Sequence, residues 1–138
     1  MDEEEIIKRI RRVLEEVKPE WLMIPGQYDA HSDHRVVYNC CMACAKVFRA
    51  PYIKRVTTME ILSETEQGFQ REKFDPNLFI DITDELEDKI KAMKIYDTEI
   101  EKVPFPRSLE NIKALAAVRG GSCQRRYAEA FCIVRQIE

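Results

Sequence analysis

The stretch Trp21-Leu22-Met23-Ile24-Pro25-Gly26 constrains this chain more than any other: four apolar residues in a row, stopped by Pro-Gly and flanked by two amphipathic helical patterns. A run so short and apolar on both faces reads as a central, parallel-type strand, and parallel strands need helices to carry the chain back along the sheet. Residues 3–17 supply the first helix. Ile6, Ile7, Ile10, Val13, Leu14 and Val17 form its stripe, the acidic first turn suits the helix dipole, and Lys18-Pro19 ends it. The second helix begins at Ser32, a good N-cap. It carries Val36, Val37, Cys40, Cys41, Cys44, Val47 and Phe48 at helical spacing and runs to about Arg49, where Ala50-Pro51 stops it.

Further along, β-branched residues with rough alternation predict a strand over residues 54–62. The polar stretch from Ser63 to Asp75 has no periodicity and is expected to be a mobile loop beside a site. Leu78 to Ile82 reads as another short strand, and Thr83 caps a helix with Leu86, Ile90, Met93 and Ile95 among its apolar positions. Ser108 begins a last helix that Gly120-Gly121 ends, and a final strand spans roughly Ala128 to Val134. This order of elements predicts one layered α/β domain, for which 138 residues with 45% hydrophobic side chains suffice. The apolar strand has few candidate neighbours, so a sheet edge is expected to be left uncovered.

The net charge is −3 and the basic residues are scattered, which excludes a phosphate-backbone binder; nucleic acid is not an expected partner. No apolar run approaches the ~20 residues that span a bilayer, so a membrane is not expected either. The start Met1-Asp2-Glu3-Glu4-Glu5 has the wrong charge for a signal peptide, and a cytoplasmic location is expected. Five cysteines, three of them crowded on one helix, argue for reduced thiols rather than a disulfide framework. Cys41 and Cys44 spell CxxC but lack a second pair of ligands, which makes them small core residues.

His31 and His34 are the only histidines. They straddle Asp33 on the loop that leaves the end of the apolar strand, where open α/β sheets tend to bind ligands. His34 falls in the first turn of a helix, whose positive dipole end disfavours imidazolium and favours the neutral ring that can donate a lone pair to a metal. Taken from these residues alone, the cluster reads more readily as a solvated helix cap than as a metal site, because two histidines at this spacing are a weak pattern. Trp21 reads as core.

With these pieces placed, the strand-Pro-Gly-x-x-Asp-x-His-Ser-Asp-His-Arg stretch, residues 21–35, resembles the HxDHR motif of the PIG-L/LmbE-like family of zinc-dependent de-N-acetylases. Three other segments resemble that family in the same order: Ser63-Glu64-Thr65 after a strand, Phe74-x-Pro-Asn-x-Phe-x-Asp-Ile, and Tyr127-Ala128-Glu129-Ala130-Phe131. The resemblance covers nearly the whole chain. It implies a Rossmann-like layered sheet with flanking helices and hydrolysis of the acetamide of N-acetylglucosamine-type sugars. By the same resemblance His34 is one of the zinc ligands, and His31 steadies the oxyanion or protonates the leaving amine while Asp33 orients it. Asp29, Arg35 and Glu129 are the expected substrate-binding residues. Amide hydrolysis needs a Lewis acid, an activated water and a proton donor for nitrogen, which is the chemistry such a set supplies.

The family's first motif, HPDD, carries its other zinc ligands and its general base, and it is not in these 138 residues. The fold is therefore expected to be incomplete, lacking the family's N-terminal strands, with zinc held in an incomplete site. The expected function is the C-terminal part of a deacetylase, inactive alone, whose partners are an N-acetylated amino sugar and either a complementary N-terminal segment or a second copy of the chain. The alternative is a non-catalytic interaction or sugar-binding module that dimerises through its open sheet edge.

Overall fold

A computed structural model describes residues 2–68 and 73–138. Four residues of the polar stretch expected to form a loop beside a site, 69–72, lie outside the described residues. The elements follow the predicted order: α1 (Glu3–Val17), β1 (Trp21–Ile24), α2 (Ser32–Cys44), β2 (Arg55–Met59), β3 (Leu78–Asp81), α3 (Leu86–Ile95), a short 3-10 turn (Asp97–Glu99), α4 (Leu109–Ser122) and β4 (Ala128–Gln136). Hydrogen bonding orders the strands β1-β2-β4-β3, giving a mixed α/β fold with an open four-stranded sheet flanked by helices. The chain divides into two compact units, residues 1–75 with 132–138 and residues 76–131, and β4 passes from one to the other.

In the first unit, Ile7 and Ile10 lie against a core formed by Leu14, Ile24, Cys41, Cys44, Ala45, Ala50, Ile53 and Val56. Ile53 and Val56 are fully buried, which stabilises the fold by about 1.5–3 kcal/mol per side chain. The stripe of α1 is narrower than its sequence suggests, since Val13 and Val17 on its flank are exposed. Lys18 takes a left-handed C-cap conformation and its N–H returns to Leu14 O at 2.8 Å, with Pro19 preventing continuation. The thiols of Cys40 and Cys44 donate to Glu3 O and Ile7 O of α1, at 4.0 and 3.6 Å. All five cysteines are free, as the spacing predicted, and burial pushes the Cys41 thiol up to about 11. Such a thiol is an inert packing group.

β1 pairs in parallel with β2, Trp21 opposite Arg55 and Ile24 opposite Thr58, the expected strand-helix-strand unit. The reading of β1 as a central strand is corrected: β2 is its one strand neighbour among the described residues, and Met23 is 47% exposed. An edge strand that is apolar on both faces is the uncovered edge that the shortage of neighbours implied. α2 is shorter than its periodicity predicts, ending at Cys44 rather than near Arg49. Residues 46–50 instead form a turn, with the Ala50 N–H on Lys46 O at 2.9 Å, which delivers Ala50 and Ile53 into the core and leaves Phe48 exposed.

In the second unit, β3 runs antiparallel to β4 with Ile80 opposite Glu129. Thr83 does not cap α3; its N–H and hydroxyl both donate to Asp81 Oδ1, and the N-cap position is Glu85. Ser108 caps α4 as predicted, accepting from the Asn111 N–H at 3.1 Å. Gly120 and Gly121 do not end that helix, which runs on to Ser122. Gly120 is needed for a different reason: a Cβ there would meet Arg125 O at 2.6 Å, so its bareness lets the following turn fold back onto the helix.

Candidate functional site

Two loops leave the C-terminal ends of the adjacent parallel strands β1 and β2. Both belong to the first unit. The first loop, residues 25–31, is tight because Asp29 folds back over it. The Asp29 carboxylate accepts the Gly26 N–H at 3.2 Å, and a Cβ on Gly26 would sit 2.8 Å from Asp29 Oδ1, so a side chain there would push the carboxylate from its place. Arg35, one turn into α2, donates through Nη1 to the carbonyl oxygens of Asp29 and Ala30, both at 3.1 Å, and ties the loop to the helix.

Asp29 is 2% exposed, yet it is fully engaged. Besides Gly26, its Oδ1 accepts the Thr65 hydroxyl at 2.9 Å and its Oδ2 lies 2.8 Å from His34 Nδ1. A carboxylate oxygen can only accept, so the imidazole donates Nδ1–H, and in the neutral ring the lone pair is then on Nε2. Histidines that bind metals are held in this way, by a carboxylate on the remote nitrogen that fixes both tautomer and ring orientation.

His31 has the opposite arrangement. It, rather than Ser32, is the N-cap of α2, and its Nδ1 accepts the Asp33 N–H at 3.1 Å. Nε2 of the neutral ring therefore carries the hydrogen. The two rings stack, with centroids 5.2 Å apart and planes inclined by 25°. Side by side, one imidazole offers a lone pair and the other a proton.

The structure thus gathers His31, Asp33, His34, Asp29 and Arg35 at one loop-helix junction and gives several of them distinct geometries. The Asp33 link to His31 runs through its amide, while its carboxylate, on an exposed residue, accepts the Ser32 hydroxyl at 3.5 Å. Asp29 acts on the cluster through His34. Glu129 lies in the second unit, where it pairs with Lys89 at 2.5 Å. The sequence does not mark Thr65 as a site residue; its one signal is its place in the Ser63-Glu64-Thr65 segment after β2. Among the described residues no three His, Cys, Asp or Glu side chains converge as a set of metal ligands. No helix among them is long and apolar enough to cross a membrane.

No family model matches this sequence, and no curated protein matches it either. Solved structures do. The chain is similar to a conserved protein of Thermus thermophilus (TM-score 0.73, 19% identity, 97% of this chain on 60% of that one). It is similar to an N,N'-diacetylchitobiose deacetylase from Pyrococcus horikoshii (0.69, 19%, 95% on 51%). It is also similar to a 4-carboxy-2-hydroxymuconate hydratase from Pseudomonas putida (0.71, 18%, 100% on 61%). The chain spans about half to three-fifths of the length of these proteins, a deacetylase and a hydratase among them, and what it shares with them is the α/β fold.

Proposed function

We propose that this chain carries the histidine-bearing part of a zinc-dependent de-N-acetylase acting on N-acetylated amino sugars, and that it needs ligands from outside the described residues to work. The observation behind this reading is the His34 ring, held through Nδ1 by a carboxylate that is itself buried and engaged by three donors. Burying a carboxylate is costly, and orienting a ligand is a function that repays it. The residues fit the metal only in part. A catalytic zinc is usually held by three protein ligands, and this chain offers one oriented imidazole, which does not by itself make a catalytic centre. In the proposed assembly His34 Nε2 is the ligand, and Nε2–H of His31 is the donor facing a developing oxyanion or leaving amine. Arg35 and Asp29 keep the loop in place, and the deacetylase among the structural neighbours supports the substrate class.

The test adds to the chain, in trans, a polypeptide that carries an HPDD motif. Zinc affinity and release of acetate from an N-acetylglucosamine derivative are expected only in the mixture, with both lost in His34→Ala. A mixture that neither binds zinc nor releases acetate overturns the reading.

The exposed, apolar edge at β1 favours a second reading, a non-catalytic interaction or sugar-binding module that pairs with a second copy of the chain through that edge. It predicts a dimer in light scattering that Met23→Lys dissociates, because a charge on an edge strand opposes edge-to-edge pairing. A stable monomer at all concentrations counts against it.

A further inference from the structure

The turn after β2 is fastened to the loop after β1 at three points. Ala30 N–H donates to Glu64 O at 3.0 Å, Thr65 donates its hydroxyl to Asp29, and Gly68 lies so close that a Cβ on it would be 2.3 Å from Tyr28 O. The turn has a built geometry of its own. Ser63 adopts a left-handed φ of 75°, and its N–H donates to the Glu66 side chain at 2.6 Å. The direction of the Thr65 hydroxyl follows by elimination. Its oxygen already accepts the Ile61 N–H at 2.9 Å, and Asp29 can only accept, so the hydroxyl hydrogen points at Oδ1.

From this we infer that Thr65 is a positioning residue whose hydroxyl sets the tautomer and orientation of His34 through Asp29. The terminal torsion of an aspartate is broad, so one oxygen alone does not fix the plane of the carboxylate. Thr65 holds Oδ1, which keeps Oδ2 turned toward Gly26 N and His34 Nδ1. Without that hydroxyl the carboxylate is free to rock, and a neutral imidazole released from a firm acceptor populates both tautomers. The chain of bonds runs from the Ile61 amide through Thr65 and Asp29 to His34, and it joins the ends of the two parallel strands. The functional weight of the inference rests on the reading of His34 as a metal ligand, but its physical content does not.

The inference is tested on the full chain without metal or substrate, so an absent deacetylase activity has no bearing on it. Long-range proton–nitrogen NMR spectra of the imidazoles, recorded where both rings are neutral, distinguish protonated from bare ring nitrogens. In the unmodified chain His34 is expected in the Nδ1–H form and His31 in the Nε2–H form. Thr65→Ala and Thr65→Ser both lose the γ-methyl and differ only in the hydroxyl. In Thr65→Ala the His34 nitrogens are expected to shift toward averaged positions, while Thr65→Ser keeps the Nδ1–H pattern. His31, which caps the helix independently by accepting the Asp33 N–H, reports whether the helix start is intact in each variant. An unmodified chain with His34 already averaged overturns the inference. So does Thr65→Ala with His34 unmoved, or Thr65→Ser as disruptive as Thr65→Ala.

Discussion

Asp29→Ala is expected to destabilise this protein by about 3 kcal/mol or more, the largest loss for any change within the candidate site. The carboxylate is 2% exposed and three donors converge on it: the Gly26 amide, the Thr65 hydroxyl and His34 Nδ1–H. Two effects oppose each other in the substitution. Alanine removes the penalty of burying a charged group, which favours the variant. It also strands three donors, each costing about 1–3 kcal/mol where water does not reach. The second effect wins because breaking a buried network from one side leaves the rest unpaired, while the His34 side chain, 23% exposed, recovers part of its share from solvent. Asp29→Asn keeps the shape but turns an NH2 group toward one of the donors, and is expected to lose about 2 kcal/mol. Asp33→Ala, on the exposed first turn of α2, is the control and is expected to lose no more than about 1 kcal/mol. Urea midpoints read by Trp21 fluorescence measure all three. Equal losses for Asp29→Ala and Asp33→Ala would mean that the network contributes nothing to stability.

Gly120→Ala and Gly121→Ala are expected to move stability in opposite directions although the two residues are neighbours on one helix. Alanine in a helix interior is favoured over glycine by about 0.8–1 kcal/mol, and Gly121, in the last turn of α4 where an added Cβ would meet nothing within 4 Å, should gain a part of it. At Gly120 the same methyl would sit 2.6 Å from Arg125 O and 2.8 Å from Arg126 O, both backbone atoms. The turn is further pinned by the Arg125 N–H on Gly120 O at 2.9 Å, so it cannot simply swing away. Overpacking against backbone costs about 1–3 kcal/mol, which exceeds the propensity gain, and a net loss of about 2 kcal/mol is expected for Gly120→Ala. Denaturant midpoints of the two variants check this. A stabilised Gly120→Ala would show that the turn after α4 relaxes freely.

Those two glycines also show where reading the sequence succeeds and fails. A Gly-Gly pair after an apolar stripe signals the end of a helix, and the helix does end within two residues of it. What the pair could not reveal is that Gly120 serves the approach of the next turn rather than the cap. The same limit applies to α2. Val47 and Phe48 continue its periodicity perfectly well, but the chain has to turn at Lys46 to bring Ala50 and Ile53 into the core, and that closure outweighs the local pattern. Trp21–Ile24 is apolar on both faces and so looks central, while its place at the sheet edge depends on how many strands are available to pair with it.

The order of helices and strands, the inert thiols and the histidine cluster at a strand end were set by the sequence itself, because periodicity, turn chemistry and contacts two to five residues apart act locally along the chain. The roles within the cluster were decided by tertiary structure. Asp29 holds His34 from five residues away, but the hydroxyl that steadies Asp29 comes from Thr65, 36 residues further on. Only the parallel pairing of β1 with β2 brings those two loops together, and no local pattern encodes a hydrogen bond between the ends of two strands.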